Sequence, residues 1–165
     1  MPSRRNDQEP SLDAHPVDAI AMLKADHRLV HDLFTQYARA EDGSTKQVIA
    51  EQVFTELEVL TQVEEHVFYP AYETMTDEHG TQLVADSRLA HAHVKALLSA
   101  LQGMDLPAEA FDATFQELRQ TMEQHVAQEE DEMFPEAEQI LAERLIALRE
   151  DMVALLQRLQ TAPRQ

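Results

Sequence analysis

The sequence predicts an all-α protein, an up-and-down antiparallel four-helix bundle with an additional C-terminal helix. Helix breakers are rare, with 3 glycines and 7 prolines in 165 residues, while Ala, Leu, Glu and Gln, which favour helices, are abundant. Apolar residues recur at alternating steps of three and four, which is typical of helices with one buried face. The turns between these segments are short, so consecutive helices should pack as antiparallel neighbours.

Five periodic segments separated by turn residues are the predicted helices. The first three span about 16–40, 45–76 and 81–102, the fourth begins after Pro107, and the fifth runs from about Pro135 to Thr161. Residues 1–14 mix charges and prolines without a period, which predicts a disordered tail. Residues 15–136 are then the bundle, and residues 137–165 a C-terminal helix that packs on the bundle or on a partner.

The charge of the chain excludes several classes of function. It carries 31 acidic and 13 basic side chains, for a formal net charge of −18. Such a negative field repels phosphate backbones and anionic bilayers, so we expect no nucleic-acid or membrane partner. The chain has no cysteine, which excludes disulfides, thiolate metal sites and thiol nucleophiles. Without a signal peptide or a membrane-length apolar segment, we expect a cytoplasmic protein, either a monomer or a homodimer.

Polar residues interrupt the apolar stripes of the first four predicted helices. The interrupting residues are His27 in the first helix, Glu64 in the second, His91 in the third, and His125 with Glu129 in the fourth. The stripe of the fifth helix, which runs from Leu141 to Leu159, has no polar member. Because ionised groups in a core are costly unless each has a partner, the pattern predicts a cation where the four helices meet.

The ligand types indicate which cations would bind. Imidazole and carboxylate without thiolate suit iron, manganese or zinc, and His and Glu side chains inside helical bundles commonly hold metal pairs. His125 and Glu129 lie one helical turn apart on one face, so they form a chelating pair. His93 competes with His91 for its role, although its own helical period places it on the flank. Glu65 and Glu130 belong either to a solvated helical face or to a set of groups that orient the ligands.

An internal repeat relates the two halves of the bundle. VEEHVFYPA at 63–71 aligns with QEEDEMFPEA at 128–137, and HRLVHDLF from residue 27 aligns with HAHVKALL from residue 91. The alignment pairs His27 with His91, Glu64 with Glu129, and Pro70 with Pro135. One helix pair is thus used twice, which predicts a site with pseudo-twofold symmetry. Leu60 breaks the symmetry, because it stands where the second half has His125.

These motifs resemble the hemerythrin-like family, the HHE cation-binding domains. The resemblance covers about residues 17–136 and is carried by four segments: ADH at 25–27, LEVLTQVEEHVFYPA at 57–71, AHAHVKALLSAL at 90–101 and MEQHVAQEEDEMFP at 122–135. It implies a four-helix bundle around a carboxylate-bridged, non-haem di-iron centre. By position, His91 and His125 would serve one iron and His27 the other, with Glu64 and Glu129 as bridges.

Leu60 departs from the family pattern, which has histidine at this position, and the departure leaves three outcomes. The second iron binds with water in the empty position, or it binds weakly and leaves one metal, or His31 substitutes as a ligand. His31 lies one turn beyond His27, at the level that Leu60 would face in an antiparallel helix pair.

The function expected from the resemblance is binding of oxygen or a related small oxidant, such as peroxide or nitric oxide, at two iron ions. Manganese or zinc could replace iron. The sequence leaves carrier, sensor and enzyme open, the enzyme being of the catalase, peroxidase or nitric oxide reducing kind, and it identifies no catalytic residue. The alternative is a helical interaction or stress-response module that has lost its metal.

Overall fold

The computed structural model describes residues 18–106 and 108–162, which form five helices and no strand. The helices are α1 (Ala19–Arg39); α2 (Gly43–Val63), which continues through a π-helical turn (Glu64–Phe68) into a last α-helical turn (Tyr69–Glu73); α3 (Glu78–Gln102); α4 (Glu109–Gln128), which continues through a second π-helical turn (Glu129–Met133) into Phe134–Leu141; and α5 (Arg144–Thr161). The all-α prediction is confirmed. No helix in these ranges is both long and apolar enough to cross a membrane.

Aspartate side chains begin the first three helices. Asp18 accepts a hydrogen bond from the backbone N–H of Ala21 at 2.9 Å, and Asp42 accepts one from that of Thr45 at 2.8 Å. Asp77 does the same for Gly80 at 3.1 Å. Each cap satisfies a backbone N–H that has no partner within the first helical turn, which explains why the helices begin at these residues.

The core lies between α1, α2, α3 and α4, with α1 packed along α2 and α3 along α4. The apolar faces of α1 and α3 on which the sequence places His27 and His91 are buried. Four aromatic residues are buried as well, namely Tyr37, Phe68, Tyr72 and Phe134. The described helices therefore enclose a continuous apolar interior around the middle of the bundle.

The second half of the α2 stripe differs from the prediction. Continued past Glu64, the period of three and four predicts Val67 and Ala71 on the buried face. Both are only partly buried, whereas Phe68, Tyr69 and Tyr72 are buried completely. The π-helical turn contains one residue more than an α-helical turn. It therefore rotates all later side chains around the helix axis, and a regular period of three and four cannot follow them.

The start of the fifth helix was also predicted wrongly. The chain does not begin a new helix at Pro135 but continues α4 to Leu141, and the break comes at Ala142, whose φ is 44°. A proline is tolerated in the first turn of a helical segment, and Pro135 occupies such a position after the π-helical turn. The boundary predicted between residues 136 and 137 therefore lies inside α4.

The last helix, α5, packs on the bundle against α1 and α2. Its buried side chains are Leu145, Leu148 and Met152, which belong to the predicted apolar stripe. The tail predicted for residues 1–14 lies outside the described residues.

Candidate metal centre

Four buried side chains meet in the middle of the bundle. They are Glu64 at the end of α2, His91 in α3, and His125 and Glu129 in α4. One ligand atom from each lies within 4.8 Å of those of the other three. His125 is 3% exposed and the other three are 0% exposed. Four nitrogen and oxygen donors at this separation can surround a single cation.

The two carboxylates occupy equivalent positions, because each begins a π-helical turn that ends before a proline. In α2 the backbone N–H of Tyr69 donates to the carbonyl of Glu64, five residues earlier, just ahead of Pro70. In α4 the same pattern runs from Glu129 to Pro135. Proline has no N–H and crowds the carbonyl four residues before it, and the wider turn accommodates this. In each half of the repeat, the proline thus accompanies a π-helical turn, and that turn positions the carboxylate.

His27 lies on α1, outside the group of four. It is buried, and its ring stacks on Phe134 with 5.6 Å between ring centroids and 9° between ring planes. The charges of Glu64 and Glu129 act on it strongly enough to shift its pKa. The structure therefore places His27 beside the two carboxylates but does not bring it into the closest cluster.

Outer carboxylates hold the rings of the two histidines that the repeat pairs. Glu65 Oε1 lies 3.2 Å from His91 Nδ1, and Glu130 Oε1 lies 3.4 Å from His27 Nδ1. Lys95 Nζ donates to both oxygens of Glu65, at 3.0 and 2.8 Å. A carboxylate at Nδ1 favours the tautomer whose Nε2 carries a lone pair, which is the form that binds metal. Of the two roles left open for Glu65 and Glu130, the contacts favour ligand orientation.

The electrostatics of the carboxylate pair favour a bound cation. Burial, together with the charge of Glu129, raises the pKa of Glu64 to about 7, and burial also raises the pKa of Glu129. Burial by itself would lower the pKa of His27, but the hydrogen bond with Glu130 and the charges of Glu129 and Glu64 raise it to about 9. Both carboxyl groups therefore tend to stay protonated unless a positive charge lies between them.

Several polar atoms of the site have no hydrogen-bond partner among the described residues. They include His27 Nε2, Glu64 Oε1 and Glu129 Oε2, all of them buried. Buried polar atoms are normally paired, since an unpaired one costs free energy. Once deprotonated, each of these three atoms offers a lone pair that a cation could use, and the donor set of imidazole and carboxylate suits iron. The residues present therefore fit the metal that the motifs imply.

Tyr69 belongs to the site, although the helical periodicity of α2 does not single it out. Its hydroxyl oxygen lies 3.2 Å from Glu64 Oε2 and 3.4 Å from Glu129 Oε1. It also lies 3.3 Å from His91 Nε2 and 3.4 Å from His125 Nε2. Burial, with the charges of the two carboxylates, holds the pKa of Tyr69 well above its usual value. A signal was present in the repeat, since Tyr69 aligns with Phe134 and the hydroxyl occurs in one half only.

The other candidate positions lie away from the cluster. Leu60, at 2% exposure, is an ordinary core residue. His31 is exposed and does not join the ligand atoms. His93 is exposed as well, with its Nε2 3.2 Å from Glu117 Oε1, so it lies on the flank of α3 while His91 faces the interior.

A cavity of about 410 Å³ opens between α1 and α4 on the side of His27. Its apolar wall includes Val30, Phe34 and Met122, and its rim includes His31 and Glu130. The cavity provides room for a small molecule next to the imidazole of His27.

Comparisons with known proteins agree with this fold. A family model described as the hemerythrin HHE cation binding domain matches residues 18–137. An uncharacterised hemerythrin-like protein of Schizosaccharomyces pombe is 29% identical over 118 residues, which are 72% of this chain and 58% of that protein. A DNA nickase of Nostoc sp. is 27% identical over 113 residues, 68% of this chain and 31% of that protein. The chain thus spans less than two thirds of the length of either relative.

One solved structure has the same fold. It is the crystal structure of a hemerythrin HHE cation binding domain-containing protein from Mycobacterium kansasii, with a TM-score of 0.73 and 23% identity. The match covers 90% of this chain and 95% of the other. Since the family model matches well over half of the residues, the chain belongs to the hemerythrin HHE cation binding domain family.

Proposed function

We propose that the protein holds a non-haem di-iron centre and binds oxygen or a related small oxidant there. The observation that carries this proposal is the pair of fully buried carboxylates, Glu64 and Glu129, each with one oxygen that lacks a hydrogen-bond partner among the described residues. Three histidines accompany the pair, with His91 and His125 in the same cluster and His27 on α1 outside it. Carboxylates between two sets of imidazoles are suited to bridge two metal ions.

Each half of the site has a distinct role in this proposal. His91 and His125 would hold one iron, His27 would hold the other, and Glu64 and Glu129 would be shared between them. Glu65 and Glu130 hold the rings of His91 and His27 through Nδ1, which keeps both Nε2 atoms available to metal.

The position next to His27 is where we expect a small oxidant to enter. Leu60 offers no donor atom there, so the iron beside His27 has fewer protein ligands than the other iron, and it is held either with water or weakly. The cavity between α1 and α4 reaches His27 and has an apolar wall, which suits a small uncharged molecule. Iron, when bound, supplies the electrons for reversible oxygen binding or for peroxide or nitric oxide turnover.

Elemental analysis with optical spectra of anaerobic and aerated samples tests the proposal. We expect iron in the purified protein and a spectrum that changes on aeration. We also expect chelation to lower the melting temperature, because a core of buried ligands loses stability when its ion leaves. Native protein that takes up no iron, and whose melting temperature is unchanged by chelation, would instead support the metal-depleted interaction module.

The response to peroxide separates enzyme from carrier. Rapid oxygen evolution when peroxide is added to the iron-loaded protein would support an enzyme. No evolution, together with an optical band that appears and disappears reversibly with oxygen, would support a carrier or sensor.

A Leu60→His variant tests the proposed asymmetry. The added imidazole restores the repeat, so we expect tighter binding of the second iron than in the wild type, measured by iron titration and spectrum. Leu57→His is a matched control, because it adds a buried imidazole one turn earlier in α2. If wild type and Leu60→His hold two irons with equal affinity and the same spectrum, the missing imidazole has no effect.

A further inference from the structure

The hydroxyl of Tyr69 lies close to all four side chains of the ligand cluster. Its distances to the four surrounding donor atoms span only 3.2 to 3.4 Å. Hydroxyl hydrogen bonds are usually about 2.7–2.8 Å long, so none of the four contacts is a well-formed one. Nearly equal distances that are longer than hydrogen bonds are typical of ligand atoms arranged around one shared metal ion.

Hydrogen bonding alone cannot account for this cluster. The phenol has a single proton, but its neighbours include two carboxylate oxygens. Glu65 at Nδ1 of His91 favours the tautomer in which His91 Nε2 is also an acceptor. Moreover, His91 Nε2 and His125 Nε2 lie 3.0 Å apart and can share at most one proton. With both carboxylates ionised, the cluster therefore contains more lone pairs than protons, and a cation would correct this imbalance in place of the protons that burial otherwise favours.

We propose that Tyr69 is a phenolate ligand of the metal ion that His91 and His125 hold, an inference that rests on the proposed iron centre. The phenolic O–H proton is released to the buffer when the metal binds, and the oxygen donates its lone pair to the ion. The guanidinium of Arg88 lies 5.7 Å from the centroid of the Tyr69 ring and favours the negative phenolate.

The internal repeat makes this ligand specific to one of the two metals. The counterpart of Tyr69 is Phe134, whose ring stacks on His27 and has no donor atom. One metal would therefore have five protein donors, from Glu64, Tyr69, His91, His125 and Glu129. The other would have His27 and the shared carboxylates, which makes the two metals chemically different.

Visible absorption of the iron(III) protein tests the proposal. We would load metal-free full-length protein with iron(II) without oxygen, admit air, and measure both iron content and spectrum. Phenolate bound to iron(III) gives a charge-transfer band in the visible, and we expect that band in the wild type. We expect Tyr69→Phe to lose it while still binding iron through the four remaining donors. Tyr72→Phe, which removes a buried hydroxyl three residues later, should keep it.

Resonance Raman spectroscopy of the wild type, excited in that band, makes the test independent of any variant. Ring-deuterated tyrosine should shift the enhanced vibrations. Iron-loaded wild type without a phenolate band, or Tyr69→Phe with an unchanged band, would overturn the proposal and leave the iron centre intact. Failure of the wild type to bind iron would instead overturn the proposed function.

Discussion

Glu129 is the residue that shows most clearly how the metal site lowers the stability of the metal-free protein. It is completely buried next to Glu64, and burial raises the pKa of both carboxylates. A group that binds metal well in this position destabilises the metal-free fold, because its charged form has lost its solvation.

Changing Glu129 to Gln should therefore have opposite effects on the free and the loaded protein. We expect the metal-free variant to be more stable than the metal-free wild type by about 1–3 kcal/mol, since a neutral side chain replaces a repelling one. Iron binding should be lost or greatly weakened. Urea denaturation and iron analysis after dialysis measure the two effects.

The exposed Glu132 lies in the same π-helical turn, and Glu132→Gln serves as the control. It should change stability by no more than about 0.5 kcal/mol and leave iron content unchanged. Full iron content in Glu129→Gln would show that this carboxylate is not a ligand.

The pKa values of His27 and Glu64 give a pH dependence with a definite sign. The pKa of His27 is raised from 6.5 to about 9 and that of Glu64 from 4.5 to about 7. At pH values between the unfolded and the folded pKa of each group, the folded metal-free protein holds a proton that the unfolded chain has lost. The contribution of these two groups to stability therefore falls as the pH rises between those values. Metal must displace the same protons, so its affinity rises with pH.

We accordingly expect iron to raise the melting temperature more at about pH 8.5 than at about pH 6. Thermal unfolding of loaded and metal-free protein at both pH values measures the difference. A metal-induced shift that is equal at the two pH values would contradict proton displacement from these ligands.

At the scale of the helices, the close approach of α3 to the end of α2 depends on Gly80. A Cβ atom at this residue would lie 1.7 Å from Thr76 Oγ1 and 2.7 Å from the hydroxyl of Tyr72. Gly80→Ala should therefore destabilise the protein by about 1–3 kcal/mol, because the packed neighbours must shift.

Gly43, the first residue of α2, is the matched control for this change. A Cβ there meets nothing within 4 Å, so Gly43→Ala should be neutral or slightly stabilising, since alanine favours the helix. Urea denaturation of both variants checks the contrast, and equal effects would refute the proposed crowding at Gly80.

For the whole molecule, α5 closes the bundle over α1 and α2 through an apolar face. Met152 is 0% exposed, whereas Ile146 on the same helix is 56% exposed. Met152→Ala should cost about 2–5 kcal/mol, because it leaves a cavity in a packed interior. Ile146→Ala should cost much less. If denaturation shows the same small effect for both, α5 does not pack on the bundle in solution.

The local pattern of residues was enough to predict the helices and most of the faces that they bury. Periodicity and the scarcity of glycine and proline predicted five helices, because the buried face of a helix repeats along the chain with the period of the helix itself. The same periodicity placed His27, Glu64, His91, His125 and Glu129 on inward faces, and all five are buried.

Only the tertiary structure decided which side chains share a centre. The two π-helical turns change the rotation of the chain after Glu64 and Glu129, which a regular period does not reveal, and they place the Tyr69 hydroxyl among the ligand atoms. The stacking of His27 on Phe134 and the continuation of α4 to Leu141 likewise depend on contacts between distant segments. A sequence period specifies the direction of a side chain around its own helix, but distances between helices are determined by how their surfaces pack.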